Sequence, residues 1–171
     1  MEKKGFHIST RDLVMMSLLI ALEIILSRFL SISAWNIKIG FSFVPVVIAA
    51  ILLGPVQAGL VGALADFIGA ILFPIGAYFP GFTLTAFLTG LVYGLFLHES
   101  QKPVRIVGAV LINQLILSLC LNTLWISILY GSPYGPLFVT RIVQTLILTA
   151  VQLVTITVLV RILPRIRRDL A

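Results

Sequence analysis

Three charged side chains, Arg28, Asp66 and Arg141, lie inside or at the edge of long apolar stretches. A charge at the centre of a bilayer costs roughly 3 kcal/mol even on a lenient insertion scale, so such a residue is a functional-site candidate. Arginine donates two parallel hydrogen bonds to a carboxylate, and aspartate accepts them. The set predicts a pocket for a small anionic solute that opens to the outside. An ion pair between Asp66 and an arginine, buried between helices without a ligand, is the alternative.

Uncharged polar residues also lie inside the last two apolar stretches of the chain. Asn122 and Trp125 are three residues apart, as are Arg141 and Gln144, so each pair shares a helix face. Buried amides often form hydrogen bonds between helices without binding a ligand, so a single amide does not distinguish the two roles. Arg141 and Gln144 together favour ligand recognition. The same stretches also contain the amides Asn113, Gln114 and Gln152.

The titratable residues give little support to catalysis. His7 and His98 fall at the ends of apolar stretches, which excludes a Ser-His hydrolase and a histidine-based zinc protease at membrane depth. Glu23 and Asp66 are the only carboxylates deep in these stretches, so an acid/base pair stays open. The single Cys120 provides neither a disulfide framework nor a cysteine metal site. The inventory favours a binding protein over an enzyme.

The composition shows what must position these side chains. Hydrophobic residues make up 60% of the 171-residue chain and charged residues 11%, whereas a soluble domain carries about 25% charged residues. A transmembrane helix needs about 20 residues, so the chain has room for about six spans and no soluble domain. No G-x-x-x-x-G-K-[ST] phosphate loop is present, so the chain cannot supply its own ATPase. We predict a single integral membrane domain over residues 1–171.

Six transmembrane helices are expected, at 12–33, 41–53, 56–72, 82–97, 105–130 and 137–163. Gly54-Pro55 interrupts the apolar run between the second and third spans, and a turn-rich segment at 131–136 separates the last two. The connections 34–40, 73–81 and 131–136 share one side and are rich in Gly, Pro and aromatic residues. They predict pocket walls, with tight turns and interfacial aromatic anchors as the alternative.

The basic residues predict the orientation. One side collects most of them, and the opposite side has only Arg28, Lys38 and Arg141. Because cytoplasmic loops carry an excess of Lys and Arg, both termini are predicted to be cytoplasmic. The residues on the predicted cytoplasmic side are Lys3, Lys4, Arg11, Lys102, Arg105, Arg161, Arg165, Arg167 and Arg168.

Several sequence strings, spread over essentially the whole chain, carry a family resemblance. They are LEIILSRF at 22–29, WNIKIGFSF at 35–43, ADF at 65–67, FPIGAYFPGFT at 73–83 and LNTLWISILYGSPY at 121–134. In combination they closely resemble the folate-specific S-components of energy-coupling factor (ECF) transporters. These are membrane subunits that bind a vitamin.

The resemblance implies a six-helix bundle in a bacterial plasma membrane that binds folate with high affinity at its outer face. It also implies association with a transmembrane transducer and two cytoplasmic ATPases, so that ATP is used by the partners and this chain needs no cofactor. An S-component for another vitamin is one alternative. An autonomous secondary carrier of an organic anion is the other.

A folate ligand would suit the polar and aromatic residues. The donor edge of a pterin calls for a carboxylate, for which Asp66 is the candidate, while aromatic rings would sandwich the heterocycle. The glutamate tail calls for Arg or Lys. The predicted ligand-binding residues are Arg28, Trp35, Lys38, Phe41, Asp66, Tyr78, Phe79, Asn122, Trp125, Tyr130, Arg141 and Gln144.

A docking face on the first helix is implied by the same resemblance. Members of the family carry an Ala-x-x-x-Ala motif there, and the matching positions in this chain are Ser17 and Ala21. Serine is still small, so close approach of a partner helix remains feasible. Packing of this pair inside the bundle is the alternative.

Overall fold

The computed structural model describes residues 9–34 and 37–169, with side chains for all of these except 33, 34, 37, 38 and 164–169. Lys3, Lys4, His7 and Trp35 therefore lie outside the described residues. Six helices account for most of the described chain: α1 (Thr10–Arg28), α2 (Phe43–Leu52), α3 (Pro55–Leu72), α4 (Pro80–Leu97), α5 (Pro103–Tyr130) and α6 (Tyr134–Asp169). We call the end where α3 stops and α4 begins the outer end, after the predicted orientation.

Local sequence explains where the helices begin. Ser9 caps α1 by accepting a hydrogen bond from the Arg11 amide, and the Asp12 carboxylate accepts one from the Ser9 amide at 3.2 Å. Helices α3, α4 and α5 each start with proline, which has no amide hydrogen to leave unpaired in a first turn. Gly54 separates α2 from α3 with φ of 110°, a left-handed conformation that favours glycine.

Small residues bring α3 and α4 into backbone contact. A Cβ placed on Gly62 would lie 2.7 Å from the Ala86 carbonyl oxygen, and one on Gly90 would collide with the Ala58 backbone. A Cβ on Gly94 would collide with the Pro55 backbone. Helices α3 and α4 therefore form a closely packed pair, because small residues let their backbones approach.

Helix α5 changes its hydrogen-bonding pattern in the middle. Residues Ile112–Leu121 form a π-helix, and the Asn122 amide bonds to the Leu117 carbonyl five residues earlier. Such segments are rare and frequently occur at functional sites. The wider turn changes which α5 side chains face the interior.

The bundle is filled at one end and hollow at the other. The apolar core lies at the inner end, around residues such as Val47, Leu97, Val110 and Ile156, all fully buried. Tyr93 is also fully buried and lies at the boundary between this core and an interior cavity. The packed end anchors the helices that form the cavity walls.

The six predicted helices are confirmed, but the first one ends early. It stops at Arg28 rather than at residue 33, and a short hairpin follows, with β1 (Ile32–Ala34) antiparallel to β2 (Ile37–Ile39). Ile32, Ile37 and Ile39 are β-branched and fit a strand better than a helix. Apolar character alone could not separate this hairpin from the preceding span. The all-helical prediction therefore needs this one correction.

Four of the helices are long and apolar enough to cross a membrane: Pro55–Leu72, Pro80–Leu97, Pro103–Tyr130 and Tyr134–Leu163 within α6. Helix α2 has only 10 residues, which at 1.5 Å per residue is about 15 Å, half of a typical hydrocarbon core. Helix α1 is long enough but carries Arg11, Asp12, Glu23 and Arg28. That all six helices cross the bilayer stays a prediction.

Candidate functional site

A cavity of about 640 Å³ lies between the helices in the outer part of the bundle. All six helices contribute to its wall, and it follows α4 from its first turn to Tyr93, a length of about 20 Å at 1.5 Å per residue. Tyr78 and Tyr130, on the outer side, are 40% and 49% exposed and mark its mouth. The volume is within the range of small-molecule sites.

The outer part of the cavity contains a charged network, formed by Arg28, Asp66, Thr83 and Tyr78. Arg28 Nη2 lies 4.0 Å from Asp66 Oδ1 and donates a hydrogen bond to the Asp66 carbonyl at 3.4 Å. Thr83 donates to Asp66 Oδ2 at 2.8 Å, and the Tyr78 hydroxyl lies 3.2 Å from Thr83 Oγ1. The network joins α1, α3, α4 and the connection before α4.

Arg28 lies directly against the backbone of α3. A Cβ on Gly69 would be 2.9 Å from Arg28 Nε, so any larger residue would displace the guanidinium. Its Nε is buried and has no hydrogen-bond partner among the described residues. The arginine side chain is therefore held in place, and its Nε–H group is available to donate to a ligand.

A second guanidinium enters the cavity from α6. Arg141 is 6% exposed and donates from Nη2 to the Ser118 carbonyl of the π-helical segment at 3.2 Å. Gln144, 5% exposed, lines the cavity beside it. A buried cation that borders a cavity suits an anionic ligand.

Trp125 supports the cavity wall from behind. It is not part of the cavity lining; its indole nitrogen donates to Thr85 Oγ1 at 3.0 Å, and Thr85 donates to the Gly81 carbonyl at 2.9 Å. The ring packs on Phe79 with centroids 5.6 Å apart, and Phe79 does line the cavity. Trp125 thereby positions Phe79 and the first turn of α4.

The inner part of the cavity is polar but uncharged. Tyr93 donates to Gln152 Oε1 at 2.8 Å, and Asn113 donates from Nδ2 to the Thr89 carbonyl at 3.5 Å. Asn113 and Gln114 are 4% and 3% exposed, and their side-chain oxygens have no hydrogen-bond partner among the described residues. We call Asn113 and Gln114 the inner amides.

The structure brings most of the predicted binding residues together. Trp125 lies behind the wall. Phe41 is 50% exposed and is not among the lining residues, although its ring lies beside that of Phe43, which does line the cavity. Trp35 lies outside the described residues, as does the side chain of Lys38, whose backbone belongs to β2. The predicted residues that line the cavity are Arg28, Asp66, Tyr78, Phe79, Asn122, Tyr130, Arg141 and Gln144.

The sequence-based prediction did not include several residues that line the cavity or bond to its lining residues. Glu23, 9% exposed on α1, was visible as a carboxylate in an apolar stretch, and the inner amides were visible as isolated polar residues. Thr83 and Thr85 carry no such signal, since threonine is common in membrane helices. Their importance comes from contacts with Asp66 and Trp125.

The predicted docking residues lie elsewhere. Ser17 and Ala21 are exposed on α1 between Leu13 and Ile25, which are 51% and 48% exposed. The Ser17 hydroxyl donates to the Leu13 carbonyl at 2.8 Å, so it presents a small surface without a free donor. This exposure argues against packing of the pair inside the bundle.

Known proteins share both sequence and fold with this chain. Residues 11–162 match the family described as "ECF transporter, substrate-specific component". The chain is 43% identical over 145 residues to "Folate transporter FolT" of Clostridium novyi, a match covering 84% of each protein. It is 34% identical to a protein of the same description from Leuconostoc mesenteroides subsp. mesenteroides, covering 85% of this chain and 82% of that one.

Among solved structures, a crystal structure of FolT bound with folic acid superposes with a TM-score of 0.85. It is 34% identical, and the match covers 90% of this chain and 94% of that one. The family consists of membrane transporter components that bind substrate and is not an enzyme family. The chain therefore belongs to the family of substrate-specific components of ECF transporters.

Proposed function

We propose that this chain is the folate-specific subunit of an ECF transporter, which captures folate with high affinity at the outer face of the membrane. Two relatives that match more than four fifths of the chain are described as folate transporters, and the similar solved structure holds folic acid. The observation that carries the proposal is the cavity itself, with Arg28 in its outer part, Arg141 on its wall beside Ser118 and uncharged amides in its inner part.

The chemistry of folate suits this arrangement. Its glutamate tail carries carboxylates, which favour the bidentate contacts of Arg28 or Arg141. Phe79 offers an aromatic face to a flat heterocycle. Asp66 already accepts from Thr83 and faces Arg28, which favours a role in orienting that arginine. The sequence-based assignment of the pterin edge to Asp66 stays a prediction.

The proposed setting is a bacterial plasma membrane crossed by all six helices, with both termini in the cytoplasm. The distribution of Lys and Arg supports this orientation, since the basic residues cluster at the inner end. Residues 1–171 act as one substrate-binding domain in this account.

Transport needs partners in this proposal. The family description places the chain within an ECF transporter, and we propose a transmembrane transducer and two cytoplasmic ATPases as the other subunits. ATP is used by those ATPases, and this chain needs no cofactor of its own. The exposed pair Ser17 and Ala21 on α1 is the proposed contact with the transducer, because small residues allow close helix approach.

Isothermal titration of the purified chain in detergent tests the ligand. Folate should bind one to one, and thiamine or riboflavin should give no binding heat. Binding of either of those vitamins in place of folate would contradict the assignment.

Uptake into liposomes tests the role. The chain alone should bind folate without accumulating it, and accumulation should require the transducer and the ATPases with ATP. Accumulation by the chain alone would identify an autonomous carrier instead.

A further inference from the structure

We propose that the side-chain oxygens of Asn113 and Gln114 form an acceptor pair that reads the N–H donors of the ligand's heterocycle. This inference rests on the proposed folate function and deepens it, because it assigns the ring to the inner part of the cavity. The two residues line the cavity, are 4% and 3% exposed, and have unpartnered oxygens among the described residues.

The surroundings of Asn113 determine which way its amide points. The Tyr93 hydroxyl donates its hydrogen to Gln152 Oε1 at 2.8 Å, so that hydrogen is not available to Asn113. The Asn113 amide donates from Nδ2 to the Thr89 carbonyl at 3.5 Å. A carbonyl only accepts, so this contact requires the nitrogen side of the amide. Asn113 Oδ1 is therefore the atom left over.

The inner amides are consecutive residues that both line the cavity. Consecutive residues also line it on regular helices, as Ser27 and Arg28 do on α1 and Thr85 and Ala86 do on α4. The inner amides lie in the wider π-helix at Ile112–Leu121. Helix α5 thereby places two acceptors at one site.

A buried acceptor without a donor is costly, so these oxygens call for donors from a ligand or from water. A carboxylate has none and would be repelled, which excludes the anionic tail of folate from this part of the cavity. A pterin presents a ring N–H and an adjacent amino group on one edge. Two amide oxygens match two such donors without introducing a charge.

The position of the charged network is compatible with this direction. Arg28 and Asp66 lie in the outer part of the cavity, at the level of Thr83 near the start of α4, whereas Tyr93 lies about 15 Å further along that helix. The tail would therefore meet the arginines while the ring reaches the inner amides.

The first test compares two ligands on the unmodified protein, so it does not depend on a variant that folds. The probes are folate and 2-desaminofolate, which lacks the amino group of the pterin edge. Folate should bind about tenfold or more tightly, because the analogue leaves one buried acceptor unpaired. Equal affinity would overturn the acceptor-pair assignment.

The second test locates the acceptors with Gln114→Met and Asn113→Leu, which keep approximate size and remove the oxygen. Both should weaken folate about tenfold and reduce the preference for folate over 2-desaminofolate towards unity. Gln101→Met is the matched control, because Gln101 bonds to the Leu97 carbonyl outside the cavity, and it should leave both affinities unchanged.

The outcomes separate this inference from the proposed function. If the unmodified chain does not bind folate at all, the proposed function is wrong. If it binds folate and each variant weakens both ligands equally, the amides belong to the scaffold and the inference fails. Unchanged binding by a folded Gln114→Met variant would show that water, not the ligand, satisfies that oxygen, and this too would overturn the inference.

Discussion

The outer and inner parts of the cavity are built on opposite principles. In the charged network, Arg28, Asp66, Thr83 and Tyr78 bind to one another, so the charges are oriented before any ligand arrives. The inner amides have no charge, and their oxygens have no partner within the part of the chain that the structure describes. Oriented charges attract an anion and speed its capture, whereas unpaired buried acceptors reject a ligand that lacks the matching donors.

Replacing Arg28 should have the largest effect on affinity. In Arg28→Gln the bidentate charge-assisted contact is lost, so folate should bind about a hundredfold more weakly, a cost of about 3 kcal/mol. Pteroate, which lacks the glutamate, should lose much less if the outer part holds the tail. Isothermal titration of both ligands on both proteins isolates this coupling.

Two controls sharpen the Arg28 result. Arg28→Lys should rescue poorly, because an ammonium group cannot make the planar two-point contact. Arg105→Gln, in the first turn of α5 and outside the cavity, should leave both affinities unchanged. If Arg28→Gln loses the same factor of affinity for folate and for pteroate, the arginine lies beside the ring. The outer part of the cavity would then not be the site of the glutamate tail.

Asp66→Asn should have the next largest effect. The amide keeps the shape but removes the charge opposite Arg28, and it places a donor where Thr83 or Arg28 now donates. Folate affinity should fall about tenfold, a cost of about 1.4 kcal/mol. The loss should be greater for folate than for pteroate if Asp66 acts through Arg28.

The opposite result for Asp66 is equally informative. A loss of the same size for folate and pteroate would support the assignment of Asp66 to the pterin edge. Unchanged affinity in a folded variant would leave Asp66 as a structural partner of Arg28 alone.

Much of the fold was predictable, since helices α3, α4 and α5 begin within two residues of the predicted spans and end at the predicted residues. Gly54-Pro55 and the turn at 131–136 provide clear local signals there. The early end of α1 was missed because Phe29 and Leu30 continue its apolar run, and the hairpin at Ile32–Ile39 was missed because most of it lies in the predicted connection 34–40.

Trp125→Phe should have a smaller effect on folate. The phenyl ring still packs on Phe79, but the hydrogen bond to Thr85 is lost, so the first turn of α4 is held less firmly. Folate affinity should fall about threefold, and the free energy of unfolding should fall by about 1 kcal/mol. Thermal unfolding and titration measure the two quantities. A loss above a hundredfold would show that the indole touches the ligand itself.

The site was harder to predict than the fold, for a physical reason. Arg28, Asp66 and Arg141 stand out because charges are costly in apolar stretches. Thr83 gains its role only from the packing of α4 on α3, which brings it to Asp66. The inner amides lie in the π-helical segment of α5, and no local residue pattern predicts that segment.

Ala21→Leu should leave folate affinity unchanged, because Ala21 is exposed on α1 and outside the cavity. Uptake by cells that also express the transducer and ATPases should fall severalfold, since a bulky residue prevents close helix approach. Leu22→Phe is the matched control and should retain uptake, because Leu22 is also exposed on α1 but points about 100° away from Ala21. Normal uptake in Ala21→Leu would place the docking face elsewhere.

Native mass spectrometry of the purified chain shows directly whether this cavity holds a folate. After expression with folate in the medium, we expect a complex whose added mass is that of one folate-class molecule per chain, and we expect this complex to be strongly reduced in Arg28→Gln. A bound thiamine or riboflavin, or a chain that stays empty even after added folate, would contradict the proposed function.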